Sequence, residues 1–171
     1  EQLPVPVATS MLLEGATAAR NDAAVRCVII KSAIDRFFCA GADISTLKGP
    51  TVQQNAEFLT LAHEIVDMIE RTPKIFIAAI SGHCLGGGLE FALAGHLLFA
   101  APEAQFGQPE MKLGVFAPAA SVLLPLRIGQ ARAEDLLYSG RSIDAQSALA
   151  WGLANEVAQD PAAAAGAYFE Q

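Results

Sequence analysis

The chain has 171 residues, of which 53% are hydrophobic and 17% charged, so it is long and apolar enough to bury a core and is not a disordered chain. Its 11 basic and 18 acidic residues give a net charge of −7, which argues against a nucleic-acid partner. The longest apolar runs, such as Ile75 to Ile80, are far too short for a membrane span.

In chain order, residues 1–8 carry no strong pattern. Thr9 or Ser10 is expected to cap a helix running to about Arg20, which Asn21-Asp22 ends. Residues 25–31 (VRCVIIK) read as a strand, followed by a turn of small residues at 37–44 (FFCAGADI). Residues 51–71 repeat apolar positions near the helical period, with Asp67, Glu70 and Arg71 outside, and Thr72-Pro73 stops the helix. His63 is expected on its surface, with no role.

Ile75 to Ile80 is a continuous apolar run of the length and β-branched content of a buried strand. It leads through Ser81-Gly82-His83-Cys84-Leu85-Gly86-Gly87-Gly88 into a helix from Leu89 that ends near Gly95. Three consecutive glycines allow backbone geometry closed to other residues and let another group come close to the main chain. No Gly-Lys-Ser/Thr ending and no G-x-G-x-x-G spacing is present, and Glu90 in the first helical turn would repel a phosphate. An oxyanion held by a backbone N–H beside a carboxylate fits better. Close packing of the glycines, with Glu90 complementing the helix dipole, is the alternative, and these ten residues leave both open.

Residues 96–101 and 104–107 read as further strands, with His96 structural. Residues 108–116 form a loop that places Glu110 among apolar neighbours, where a carboxyl titrates high and suits proton donation; a solvated loop acid is the alternative. Helices follow at 120–128, 131–139 and 144–151, with Asp144 as N-cap and Gly152 as the stop, then a strand at 155–158 and a helix from Asp160-Pro161. One domain is expected over 1–171.

The three cysteines, Cys27, Cys39 and Cys84, are an odd number without metal-ligand spacing. Cys27 is expected in the core, whereas Cys39 and Cys84 sit in glycine-bearing turns where a nucleophile is conceivable. No basic region followed by an apolar stretch opens the chain, so no signal peptide is expected, and a reducing, cytoplasmic setting follows.

Three segments in this order, 38–44 (FCAGADI), 82–90 (GHCLGGGLE) and 106–114 (FGQPEMKLG), resemble the crotonase superfamily, the enoyl-CoA hydratase/isomerase family. The resemblance implies an α/β fold, a spiral of β-β-α units building two roughly perpendicular sheets, followed by a helical region used in trimer assembly. It implies a thioester carbonyl held by the N–H groups of Ala42 and Gly87, each such donor being worth roughly 3–4 kcal/mol in the transition state. Around it, Ala40, Ala42, Asp43, Ile44, Leu85, Gly86, Gly87, Pro109 and Gly114 are the expected acyl-CoA contacts. Glu90 would take a proton from the attacking water and Glu110 would deliver one to carbon, with no metal and no redox cofactor.

Residues 115–125 (VFAPAASVLLP) and the following IGQARAEDLLYSGRSID are similar to cyclohexa-1,5-diene-1-carbonyl-CoA hydratases. A hydratase acting on an enoyl- or cyclic dienoyl-CoA is therefore expected. The alternatives are a double-bond isomerase using Glu110 alone and a non-catalytic acyl-CoA-binding or assembly protein. The family's N-terminal strands and most of its C-terminal trimerisation region have no counterpart in these residues, so a homotrimer or dimer of trimers is expected only of a fuller chain. Lys48 is the one nearby cation for CoA, with a solvated lysine as its alternative.

Overall fold

The computed structural model describes residues 5–34, 36–41 and 52–170, with side chains from residue 11 onward in the first helix and at 60 and from 62 onward in the second. The elements run α1 (Val5–Asn21), β1 (Cys27–Lys31), β2 (Phe37–Cys39), α2 (Val52–Arg71), β3 (Ile75–Ile80), β4 (His83–Leu85), α3 (Gly87–Ala94), β5 (Leu97–Ala100) and β6 (Gln105–Gly107). A 3-10 helix (Pro109–Leu113) follows, then α4 (Pro118–Ile128), α5 (Gln130–Ser139), β7 (Ser142–Asp144), α6 (Ala145–Trp151), β8 (Glu156–Val157) and α7 (Pro161–Glu170). Two compact units result, residues 1–28 with 42–75, and residues 29–41 with 76–171.

In the first unit α1 and α2 pack on each other. Ala16, Ile65 and Ile69 are buried, and the exposed Asp67–Arg71 pair lies on the outer face that the apolar period predicts. Helix α1 starts at Val5, so neither Thr9 nor Ser10 is its cap. Pro6 explains the early start, because its fixed φ suits the first helical turn, where its missing N–H breaks no helical bond. His63 is exposed on α2, as expected.

The second unit carries two sheets, with strand orders β1-β3-β5-β8 and β2-β4-β6-β7. In the first, β3, β5 and β8 pair in parallel; in the second, β2, β4 and β6 are parallel and β7 closes antiparallel on β6. Parallel strands covered on both sides read as unbroken apolar runs, and Phe76 to Ile80 are all at most 2% exposed. The core joins Ile80, Cys84, Leu89, Leu93, Leu98 and Phe106 to Leu124, Leu136 and Ile143.

The strands β2, β4 and β7 lie where turns and a helix start are expected from the sequence. Each has three residues and exists because a neighbour supplies its ladder, not because its own residues alternate. Strand β1 begins at Cys27 and leaves that residue half-buried instead of in the core. His96 is structural, as expected: its Nδ1 accepts the Phe76 N–H at 3.0 Å. Asp144 accepts the Ser147 N–H at 2.7 Å as the cap of α6, and Gly152 ends that helix in the left-handed region.

Candidate functional site

Both glycine turns follow strands of the second sheet, β2 and β4, which pair side by side. Phe37 faces His83 and Cys39 faces Cys84 across a shift of register between them, and the two turns leave the sheet side by side. Gly41, at φ 88°, is packed so closely that a Cβ on it would lie 3.3 Å from the Gly87 nitrogen and 3.3 Å from the Leu85 oxygen. The two turns therefore lie close together as far as Gly41. Ala42, Asp43, Ile44 and Lys48 lie outside the described residues.

Gly86 takes φ 55°, ψ −131°, a conformation that side chains rarely adopt, and it turns the chain from β4 into α3. Its carbonyl accepts the N–H groups of Leu89 and Glu90 at 2.9 and 3.1 Å, so the helix starts at Gly87, two residues before the expected Leu89. Gly88 lies against β2, where a Cβ would fall 2.2 Å from the Cys39 oxygen. Close packing and a shaped backbone turn, set against each other from the sequence, are thus both present, assigned to different glycines.

Glu90 leaves the first turn of α3 half-buried and reaches the N-terminus of α4, where its Oε1 accepts the Ala120 N–H at 2.9 Å. Pro118 opens α4 without an N–H to offer, and no side chain of the Ala117 cap does this work. Glu90 therefore caps a helix other than its own. Burial pushes its carboxyl above the ordinary 4.5, while the N–H groups of Ala120 and Ala119 pull it down.

Glu110, in the 3-10 helix, faces Gly86: a Cβ on that glycine would lie 3.1 Å from Oε2. Burial raises its carboxyl, its own backbone N–H opposes that, and the nearby Glu90 charge adds to the rise. The amides at the start of α4 thus oppose burial at Glu90, whereas at Glu110 the Glu90 charge acts in the same direction as burial.

Ala40 follows β2 and is exposed, Leu85 and Pro109 are half-buried, and Gly114 ends the 3-10 helix at φ 73°. Cys84 is fully buried and burial holds its thiol well above 9.0; Cys39 is raised for the same reason. Burial thus disfavours the thiolate at both. The ring of His83 lies 5.3 Å from that of Phe37. No group of three or more potential metal ligands occurs among the described residues.

Several contributors were not legible. Gln108 is fully buried beside Glu110, and its place in the segment 106–114 gave no hint of that. The Ala119 and Ala120 amides have no side-chain signature. Arg127 donates to the Leu93, Gly95 and His96 carbonyls at the end of α3, tying that helix to α4.

An α/β unit with two strand-borne glycine turns lying close together, with Glu90 and Glu110 half-buried nearby, defines a class. The family model for enoyl-CoA hydratase/isomerase matches residues 9–164, and the chain belongs to this family, with the crotonase fold. It is 56% identical over 118 residues to cyclohexa-1,5-dienecarbonyl-CoA hydratase of Thauera aromatica, covering 69% of this chain and 46% of that protein. With crotonyl-CoA hydratase of Syntrophomonas wolfei it shares 37% over 147 residues, 85% of this chain and 56% of the relative. The chain thus spans about half the length of these curated relatives. Among solved structures, an enoyl-CoA hydratase/isomerase from Mycobacterium paratuberculosis superimposes with a TM-score of 0.88 at 28% identity, covering 98% of this chain and 68% of that one. An enoyl-CoA hydratase from Geobacillus kaustophilus gives 0.87 at 34%, covering 95% and 62%.

Proposed function

We propose that the chain carries the chemistry of a hydratase that adds water across the α,β double bond of an acyl-CoA thioester. The observation that carries this reading is the pairing of Glu90 and Glu110 beside the turn that presents Gly87. The thioester oxygen would be held by the N–H groups of Gly87 and Ala42, so that negative charge collects there as the β-carbon is attacked. Ionised Glu90 takes a proton from the attacking water, and Glu110 gives its proton to the α-carbon. The hydroxyl joins the β-carbon and the proton left on Glu90 returns to Glu110, so one water is consumed per turnover, and the steps call for no metal and no redox cofactor.

Ala40, Asp43, Ile44, Leu85, Gly86, Pro109 and Gly114 are the proposed acyl-CoA contacts. For the acyl group we favour a cyclic dienoyl thioester, because the Thauera aromatica relative is named for one and its identity to this chain is high. The three free thiols fit a reducing, cytoplasmic setting, and a homotrimer is the proposed assembly of the whole protein.

The test is loss of ultraviolet absorbance of the conjugated thioester with cyclohexa-1,5-diene-1-carbonyl-CoA and, separately, crotonyl-CoA. Loss with the cyclic diene, falling about 10²–10⁴-fold in Glu90→Gln and in Glu110→Gln, is the expected result. Near-normal turnover in both variants refutes the mechanism, and loss with crotonyl-CoA alone refutes the cyclic substrate. Isomerisation of a 3-enoyl-CoA that survives Glu90→Gln would favour an isomerase, and binding without turnover a non-catalytic acyl-CoA-binding protein.

A further inference from the structure

Gln108 is the one buried side-chain amide beside the glutamate pair among the described residues, 0% exposed, between β6 and the 3-10 helix. Its side chain ends between two acceptors. With the NH2 turned towards them, the nitrogen lies 2.6 Å from Glu110 Oε1 and 3.3 Å from the Gly86 carbonyl. The opposite orientation would set the amide oxygen against the Gly86 oxygen, an unfavourable contact for a group that has no water to turn to. The Gly86 carbonyl is the same one that accepts the Leu89 and Glu90 amides and opens α3.

We propose that Gln108 is a positioning residue whose amide bridges the Glu110 carboxyl to the Gly86 carbonyl, fixing the acid against the glycine turn and leaving Oε2 to carry the proton. The inference rests on the hydratase reading for its catalytic consequence, but the hydrogen bonds do not depend on it. An N–H held on Oε1 makes that oxygen an acceptor in both protonation states, so a proton on Glu110 goes to Oε2. That oxygen is the one lying over Gly86. The charged group acting on Glu110 from the packed elements is Glu90 of α3. Lys112, on the same turn, packs its stem against Gly140, and on the α5 side Asp135 and Arg141 are paired with each other.

A donor on a carboxylate favours its charged form, so removing it raises the Glu110 pKa by about one unit. Gln108→Leu and Gln108→Met test this; methionine keeps the unbranched shape and the volume, so it guards against a failure to fold. Two measurements are made on the intact protein: a 13C NMR titration of labelled glutamate carboxyls, with the Glu110 signal assigned by its loss in Glu110→Gln, and the pH profile of kcat and kcat/KM for hydration. The expected result is a Glu110 titration about one unit higher, an alkaline limb moved up in parallel, and kcat lowered about tenfold to a hundredfold with KM little changed. A Glu110 titration that stays in place, or moves down, in the folded methionine variant overturns the proposal. If wild type turns over and both variants match it at every pH, the positioning role is overturned as well. A titration that moves as expected in a wild type that hydrates neither thioester supports the hydrogen-bond assignment and overturns the hydratase reading instead.

Discussion

At the residue scale, one methyl group separates the roles of two neighbouring glycines. On Gly88 a Cβ would fall 2.2 Å from the Cys39 oxygen and 2.7 Å from its carbonyl carbon, so α3 and β2 would have to part. Gly88→Ala should cost about 2–4 kcal/mol, read from denaturant unfolding. On Gly87 the nearest atom is the Gly41 Cα at 3.9 Å, an ordinary contact at a helical position, so Gly87→Ala should leave stability unchanged or raise it by up to about 1 kcal/mol. From the sequence, Gly86-Gly87-Gly88 is legible as a turn that brings a backbone close to something. Which glycine makes the turn and which meets β2 is decided by a partner strand about fifty residues earlier in the chain, and no local pattern carries that. Glu110 offers a second test. Its folded pKa is raised above 4.5, so the folded state holds its proton more tightly than the unfolded chain does. That contribution is complete below about pH 4.5 and is lost as pH rises through the folded value. Glu110→Gln should therefore be more stable than wild type in thermal melts at neutral pH and equal to it below about pH 4.5. The gain stays within about 1 kcal/mol, because water screens a half-exposed carboxyl.

At the scale of elements, α3 and α4 complete each other. Glu90 near the start of α3 accepts the amides at the start of α4, and Arg127 near the end of α4 donates to the carbonyls at the end of α3. Both helices thereby gain partners for groups that a helix end leaves unpaired. Arg127→Ala should cost about 2 kcal/mol in unfolding experiments, and Arg127→Lys should recover only part of it, since an ammonium cannot fork across three carbonyls. Helices and long strands were legible because an apolar period or an unbroken apolar run is written in consecutive residues. Val52–Arg71 and Ile75–Ile80 match their expected bounds to within a residue. The three-residue strands were not, because three residues are too few to show a period. The long reach of Glu90 from α3 to Ala120 was invisible for another reason: its acceptor role is met by backbone, and backbone has no letter in the sequence.

At the scale of the whole molecule, charge and apolar surface pull in opposite directions. The net charge of −7 keeps copies apart at low salt, whereas Val122 and Leu126, one turn apart on α4, are 64% and 78% exposed. Sedimentation velocity should show association that grows with concentration and with salt, as repulsion is screened. Replacing the two by Glu and Lys, as Val122→Glu with Leu126→Lys, should suppress it without loss of helix, because the new side chains form a favourable pair one turn apart. The reciprocal ties between α3 and α4 have a kinetic counterpart. Strands β5 and β6 lie between these helices in the chain, so releasing either helix end also strips a bond from a distant segment. Fraying, which normally lets the first amides of a helix trade deuterium with water long before the protein unfolds, should therefore be suppressed. The Ala119 and Ala120 amides should exchange only as the second unit opens, at the pace of the β3 amides and with the same dependence on denaturant.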